Sequence, residues 1–173
     1  MRYLLPLFVA VLFLFEGTWF QVLFPRTLES EFIWVPRFTL VLIVLISIYK
    51  GSSTGLIYGI IVGFFQDVVY SSLLGIYLFS YGLLGYMSGV SYEAVKNRVT
   101  LLFVVVVLVV SSLELFTYGI YQGIGYTAMP FADFAQYRWL PSLLLNGVFL
   151  MIIVFPIRKL IRRLNDEERL LSP

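Results

Sequence analysis

Residues 51–75 read GSSTGLIYGIIVGFFQDVVYSSLLG. Gly51, Gly55, Gly59 and Gly63 recur every four residues. Four steps of about 100° return a helix to nearly the same face, so the glycines form one stripe on an apolar helix. Small residues let helix backbones approach closely, and close packing is the main source of helix association in lipid. The helix runs into Tyr70-Ser71-Ser72-Leu73, a short uncharged turn that predicts an antiparallel hairpin with the next apolar run. That run carries Gly75, Gly82 and Gly89 every seven residues, with Gly85 beside them. Packing of this hairpin on itself or on the first helix is the plainer reading of Gly55, Gly59, Gly63, Gly75, Gly82 and Gly89. A docking groove for another helix, from a partner or from a second copy in a homo-oligomer, is the other.

The rest of the chain has the same character. Of its 173 residues 60% are hydrophobic and 13% charged, and mean hydropathy is +0.93. A water-soluble domain carries about 25% charge. An ordinary globular domain, a disordered tail and a nucleic-acid binder are therefore excluded. Apolar runs fall at 3–24, 32–49, 53–70, 73–91, 99–122 and 139–157. Backbone polar groups in lipid must be satisfied within the segment, so these runs are read as helices. The expected fold is all-α, a polytopic membrane bundle of about six transmembrane helices forming one domain over 1–173. The first run is too long for a signal-peptide core and is read as a retained helix. Cysteine and histidine are both absent, which removes thiolate and imidazole metal ligands, the Cys nucleophile and the commonest general base.

Lys and Arg set the orientation. With the N-terminus cytoplasmic, Arg2, Lys50, Lys96, Arg98, Arg158, Lys159, Arg162, Arg163 and Arg169 lie inside, against Arg26, Arg37 and Arg138 outside. Both termini are therefore expected in the cytoplasm. Trp19, Trp34 and Trp139 then fall at the outer ends of their spans, at the headgroup level an indole prefers. After Pro156, Ile157, Leu160, Ile161 and Leu164 continue at helical spacing, with Arg158, Lys159, Arg162 and Arg163 between them. The basic tail, 158–173, is read as a cytoplasmic extension of the sixth helix that meets anionic lipid. A plain positive-inside signal is the blander account.

A carboxylate inside a spanning helix is expensive and is by default a functional hypothesis. Glu16, Asp67 and Glu114 are three such groups, and Arg37 and Asn146 lie within spans as well. Counting about 1.5 Å per residue from the inner anchors, all five come to roughly 18–25 Å, in the outer half of the membrane. The shared depth suggests one polar layer facing the bundle interior. Arg37 is the only cation deep enough to offset an acid, and Pro36 before it suits the first turn of the second helix. One Arg against three acids leaves at least one acid protonated or hydrated, since burial disfavours the charged form. The opposing reading has Glu16, Asp67 and Arg37 snorkelling separately to the headgroups.

The order of these features resembles the MreD family of bacterial rod-shape-determining membrane proteins. The carriers are Pro36-Arg37 opening the second helix, then Gly55-x3-Gly59-x3-Gly63-Phe64-Phe65-Gln66-Asp67, then Leu74-Gly75 and Gly85-Tyr86. Glu114 in the fifth helix, Asn146-Gly147, Pro156 and Arg158-Lys159 complete the set. Each motif alone is weak, and the basic residue after Pro36 is a departure from the pattern. The resemblance covers nearly the whole chain. It implies a non-enzymatic scaffold in the bacterial plasma membrane, part of the machinery that builds side-wall peptidoglycan, with no cofactor. The partners it implies are MreC, the actin-like MreB, and a RodA-type glycosyltransferase with its transpeptidase.

Two other classes compete. Substrate-binding subunits of energy-coupling-factor vitamin transporters share size, helix count and an outward polar site. They dock through an Ala-x3-Ala type patch on the first helix, where this chain has only Ala10. A membrane enzyme would need a convergent nucleophile, base or metal set. The cytoplasmic loops offer only Glu93 and Asp166-Glu167-Glu168, and the latter offset the basic tail.

Overall fold

The computed structural model describes residues 4–19, 32–90, 95 and 98–171. All regular structure among them is helical. In chain order the helices are α1 (Leu4–Leu14), α2 (Phe38–Lys50), α3 (Ser52–Tyr70), α4 (Ile76–Val90) and α5 (Val99–Gly123). The last, α6, starts as Phe131–Phe134 and passes through the π-helical turn Ala135–Trp139 into Leu140–Leu171. A second π-helical turn, Phe15–Trp19, closes α1.

Helix α2 is the central post. Its sequence, FTLVLIVLISIYK, is apolar on every face, and a helix apolar all round must be buried all round. Leu40 through Ile46 are fully buried, and α1, α3, α4, α5 and α6 all touch this helix. The outer faces are apolar too: Leu7, Ile57, Ile61, Leu108, Leu144, Ile152 and Phe155 are exposed. Apolar surface outside with polar groups inside is what a bilayer solvent selects. The stretches Ser52–Tyr70, Val99–Gly123 and Phe131–Ile161 are long and apolar enough to cross a membrane, and Leu4–Thr18, Phe38–Lys50 and Ile76–Val90 are shorter apolar helices.

The hairpin of α3 and α4 is the most extensive helix pair. A Cβ added at Gly59 would overlap the Tyr81 carbonyl and stand 2.9 Å from Gly82 Cα; one at Gly63 would stand 2.7 Å from Leu78 Cα. Gly55 and Gly85 face each other backbone to backbone, and Gly89 lies against Ser52. Gly82 is different, since its nearest neighbour is the Ile60 side chain at 3.0 Å. Gly75 is not on the packed face at all. It sits in the turn with φ of 102° and open space around it, so conformation rather than packing demands glycine there.

Helix boundaries differ from expectation in three places. The second helix starts at Phe38, not residue 32, and 32–37 are extended. Pro36 therefore precedes the helix instead of occupying its first turn; the residue before a proline is pushed out of the helical region. The fourth helix starts at Ile76 because the turn takes up 71–75. The expected outer loop 123–138 folds in its second half, where 131–139 is already helical.

Candidate functional site

An extended segment and a helix start at membrane depth create a problem of unsatisfied backbone groups. Helix α2 has 13 residues, about 20 Å of rise, against a hydrocarbon core of about 30 Å. Its first N–H groups and the preceding segment therefore lie inside the bundle. Helix α6 takes the odd-numbered residues. Ile33 N–H donates to the Tyr137 carbonyl at 2.6 Å. Val35 N–H donates to Ser142 Oγ at 3.2 Å and the Val35 carbonyl accepts from Asn146 Nδ2 at 3.1 Å. Arg37 N–H donates to Asn146 Oδ1 at 2.8 Å. The two-residue period is that of an extended chain showing one edge to its neighbour.

Glu16 reaches across from α1. Its Oε2 accepts both the backbone N–H and the hydroxyl of Thr39, each at 2.8 Å. A carboxylate on a helix's first turn satisfies a free donor and suits the positive end of the helix dipole. The π-helical turn that closes α1 carries Glu16 to this position.

Asp67 does the same for α4, within the hairpin. Its Oδ2 accepts N–H groups from Gly75 at 2.9 Å and Leu78 at 2.8 Å, and its Oδ1 accepts from Tyr77 at 2.9 Å. Asp67 is 1% exposed. It is the last-turn acid of one helix serving as the cap of the next.

Arg37 joins these seats. Its Nε donates to Glu114 Oε1 at 2.8 Å and its Nη2 to Tyr77 Oη at 3.2 Å. The guanidinium also lies 5.0 Å from the Tyr77 ring centroid. Since Tyr77 donates its N–H to Asp67 and its hydroxyl oxygen accepts from Arg37, Asp67, Arg37, Glu114 and Asn146 form one connected set. Glu16 enters through Thr39, two residues from Arg37. The five residues singled out from sequence thus surround the starts of α2 and α4, and only Glu114 forms an ion pair with Arg37 among the described residues.

Arg138, expected in the outer loop 123–138, lies instead in the π-helical turn of α6 and joins the site. Its Nε donates to Glu114 Oε2 at 3.1 Å, so Glu114, fully buried, lies between two guanidiniums. The signal was present in the spacing. Arg138, Ser142 and Asn146 stand four residues apart on one helical face, a spacing that an apolar run beginning at residue 139 leaves out. Ser142 Oγ donates to the Arg138 carbonyl at 2.6 Å and Asn146 Nδ2 to the Ser142 carbonyl at 2.7 Å.

Chemically, these groups hold helix ends together. Each carboxylate of the layer accepts at least two hydrogen bonds from the chain's own donors. No cluster of three acids that would hold a metal occurs among the described residues.

Residues 1–164 match the family model described as rod shape-determining protein MreD. The chain is 30% identical over 169 residues to the rod shape-determining protein MreD of Bacillus subtilis (strain 168), covering 97% of this chain and 98% of that protein. No solved structure matches the chain significantly.

Proposed function

Because the chain belongs to the MreD family of rod shape-determining proteins, we infer that it is a non-enzymatic scaffold of the rod-shape machinery. In this reading it spans the plasma membrane six times and binds MreC. It links MreC to MreB and to the RodA-type glycosyltransferase with its transpeptidase. One observation supports the non-enzymatic part: among the described residues, each buried carboxylate of the layer is bonded to a helix start or to arginine. Interior polarity serves register here, the best-attested use of buried polar groups. The partner-binding part draws on the apolar exterior, which presents lipid-like surface on every helix but α2.

The test is affinity capture of the tagged chain from membranes, followed by identification of what comes with it. Recovery of MreC and the wall synthases is the expected result, with widened or rounded cells when the gene is depleted. Recovery of a pair of ATPases instead would favour the transporter reading and remove this one.

A further inference from the structure

We propose that the α5–α6 connection, residues 124–134, is seated in the lipid headgroup boundary as a membrane-surface anchor and does not stand in water as a loop. Composition is the first ground. From Ile120 to Tyr137 the chain carries a single charged residue, Asp133, where a water-exposed segment of that length would carry about four at the usual 25%. Its apolar side chains are nevertheless not packed away: Ile124 is 56% exposed, Tyr126 65% and Phe131 54%. Outward-facing apolar and aromatic surface is costly in water and favourable at a bilayer boundary. The two helices that it joins are apolar on their outer sides as well, at Phe116 and Leu140. The surface thus continues that of the lipid-facing bundle, and its occupant is lipid.

Depth agrees. Helix α5 has 25 residues, about 37 Å of rise, against a hydrocarbon core of about 30 Å and about 40–45 Å with the headgroups. With Arg98 at the opposite boundary, the far end of α5 lies among headgroups. Helix α6 starts near that height, because the rings of Phe131 and Phe134 lie 6.0 and 4.1 Å from that of Tyr118, about 30 Å along α5 from Arg98. Trp139, bonded to Ser111, lies deeper, so the connection and not the layer around Glu114 meets the boundary. The backbone suits that setting. Ile124 N–H donates to the Ile120 carbonyl at 3.1 Å and Gly125 N–H to the Gln122 carbonyl at 3.0 Å. Tyr126 and Thr127 N–H both donate to the Tyr121 carbonyl, at 2.9 and 3.2 Å. Gly125, with φ of 71°, lets the chain fold back on the helix end, and Tyr118 Oη donates to the Met129 carbonyl at 2.8 Å. Peptide groups bonded inside their own segment enter a water-poor region at less cost. The assignment holds whichever side of the membrane this end faces, and it does not depend on the scaffold reading.

The chain has no cysteine, so a single introduced cysteine takes a nitroxide label at one place only. The full chain is purified and placed in lipid discs of phosphatidylcholine and phosphatidylglycerol, with the label in turn at Ile124→Cys, Tyr126→Cys and Phe131→Cys. All three positions are exposed, so the label displaces no packed side chain. Collision of each nitroxide with oxygen, which concentrates in lipid, is compared with its collision with a water-soluble nickel chelate. Leu108→Cys, on the exposed apolar face of α5, and Pro173→Cys, at the last residue, set the two ends of the scale. The oxygen-to-nickel ratio at the three connection sites should stand several-fold above that at Pro173 and below that at Leu108. A ratio equal to that at Pro173 would place the connection in water and overturn the proposal. A ratio equal to that at Leu108 would place it in the hydrocarbon and overturn the headgroup seat. Weak collision with both reagents would mean that a second copy of the chain covers this face, and would end the proposal as well.

Discussion

Asp67 shows how a single side chain decides whether an element can start inside a membrane. Three backbone N–H groups of the α4 entry converge on its two oxygens. A buried donor left without a partner costs about 1–3 kcal/mol. Asp67→Leu removes both oxygens and leaves three donors without them, one fully buried and two part-buried, so its expected destabilisation is about 1–3 kcal/mol or more by that measure. Asn keeps one acceptor oxygen and turns its NH2 toward donors. Asp67→Asn should therefore be intermediate, milder than Leu but not silent. Unfolding in mixed micelles should rank wild type above Asn above Leu. Equal loss in both variants, with the fold retained, would point to a chemical role for the carboxylate instead of a capping one. The residue stood out in the sequence because an acid at that depth is costly. Its partners did not, since backbone donors leave no trace in residue types. The partner of Glu16 is hidden in the same way, since its cap on Thr39 needs the π-helical turn that no local pattern announces.

At the scale of the element, the α3–α4 hairpin was legible because glycine every four residues has a direct physical consequence. The finer division within the stripe was not. Gly59 faces backbone, Gly82 faces the end of a flexible Ile60 side chain, and Gly75 serves the turn. Glycine spacing is blind to what stands opposite. Substitution by alanine should separate these cases. Gly59→Ala forces its methyl into the Tyr81 carbonyl and should cost about 1–3 kcal/mol by overpacking. Gly82→Ala needs only a small shift of Ile60 and should be near neutral. Phe64→Leu, on a half-exposed outer position, should be tolerated as well. Thermal melts of the three variants check the order, and a Gly59→Ala protein as stable as Gly82→Ala would remove the close-packing account. The start of α2 was misplaced for a related reason. Residues 32–37 are apolar enough to read as helix, yet Pro36 and the side chains of α6 hold them extended. The partner that stabilises them lies more than a hundred residues away in sequence.

For the whole molecule, the structure sorts the cations by end. The hairpin turn and the α5–α6 connection share one end, tied by Ser71 to Tyr121 at 3.1 Å and by Ser72 to Tyr126 at 3.0 Å. Arg37 and Arg138 belong to that end and both are bonded to Glu114. Lys50 at the end of α2, Arg98 before α5 and Arg158 on α6 mark the other. There the Arg158 guanidinium lies 5.5 Å from the Tyr49 ring centroid, and Arg98, Lys159 and Arg163 are exposed. A cation held inside the bundle by an acid contributes little to the choice of side. Exposed cations next to span ends are the ones that resist export. The bias is therefore steeper than a bare count of Lys and Arg, since Arg37 and Arg138, the described cations at the hairpin end, are both paired. The expectation is that α2 begins toward the outside and that the C-terminus stays in the cytoplasm. A phosphatase that works only after export should be inactive when fused after Pro173 and active when inserted beside Thr127 in the α5–α6 connection. Neutralising Lys159 and Arg163 together should weaken that contrast, whereas Arg138→Gln should leave it intact. The reverse pattern, with an active fusion at Pro173, would place the Arg37–Glu114 layer at the cytoplasmic side and overturn the orientation.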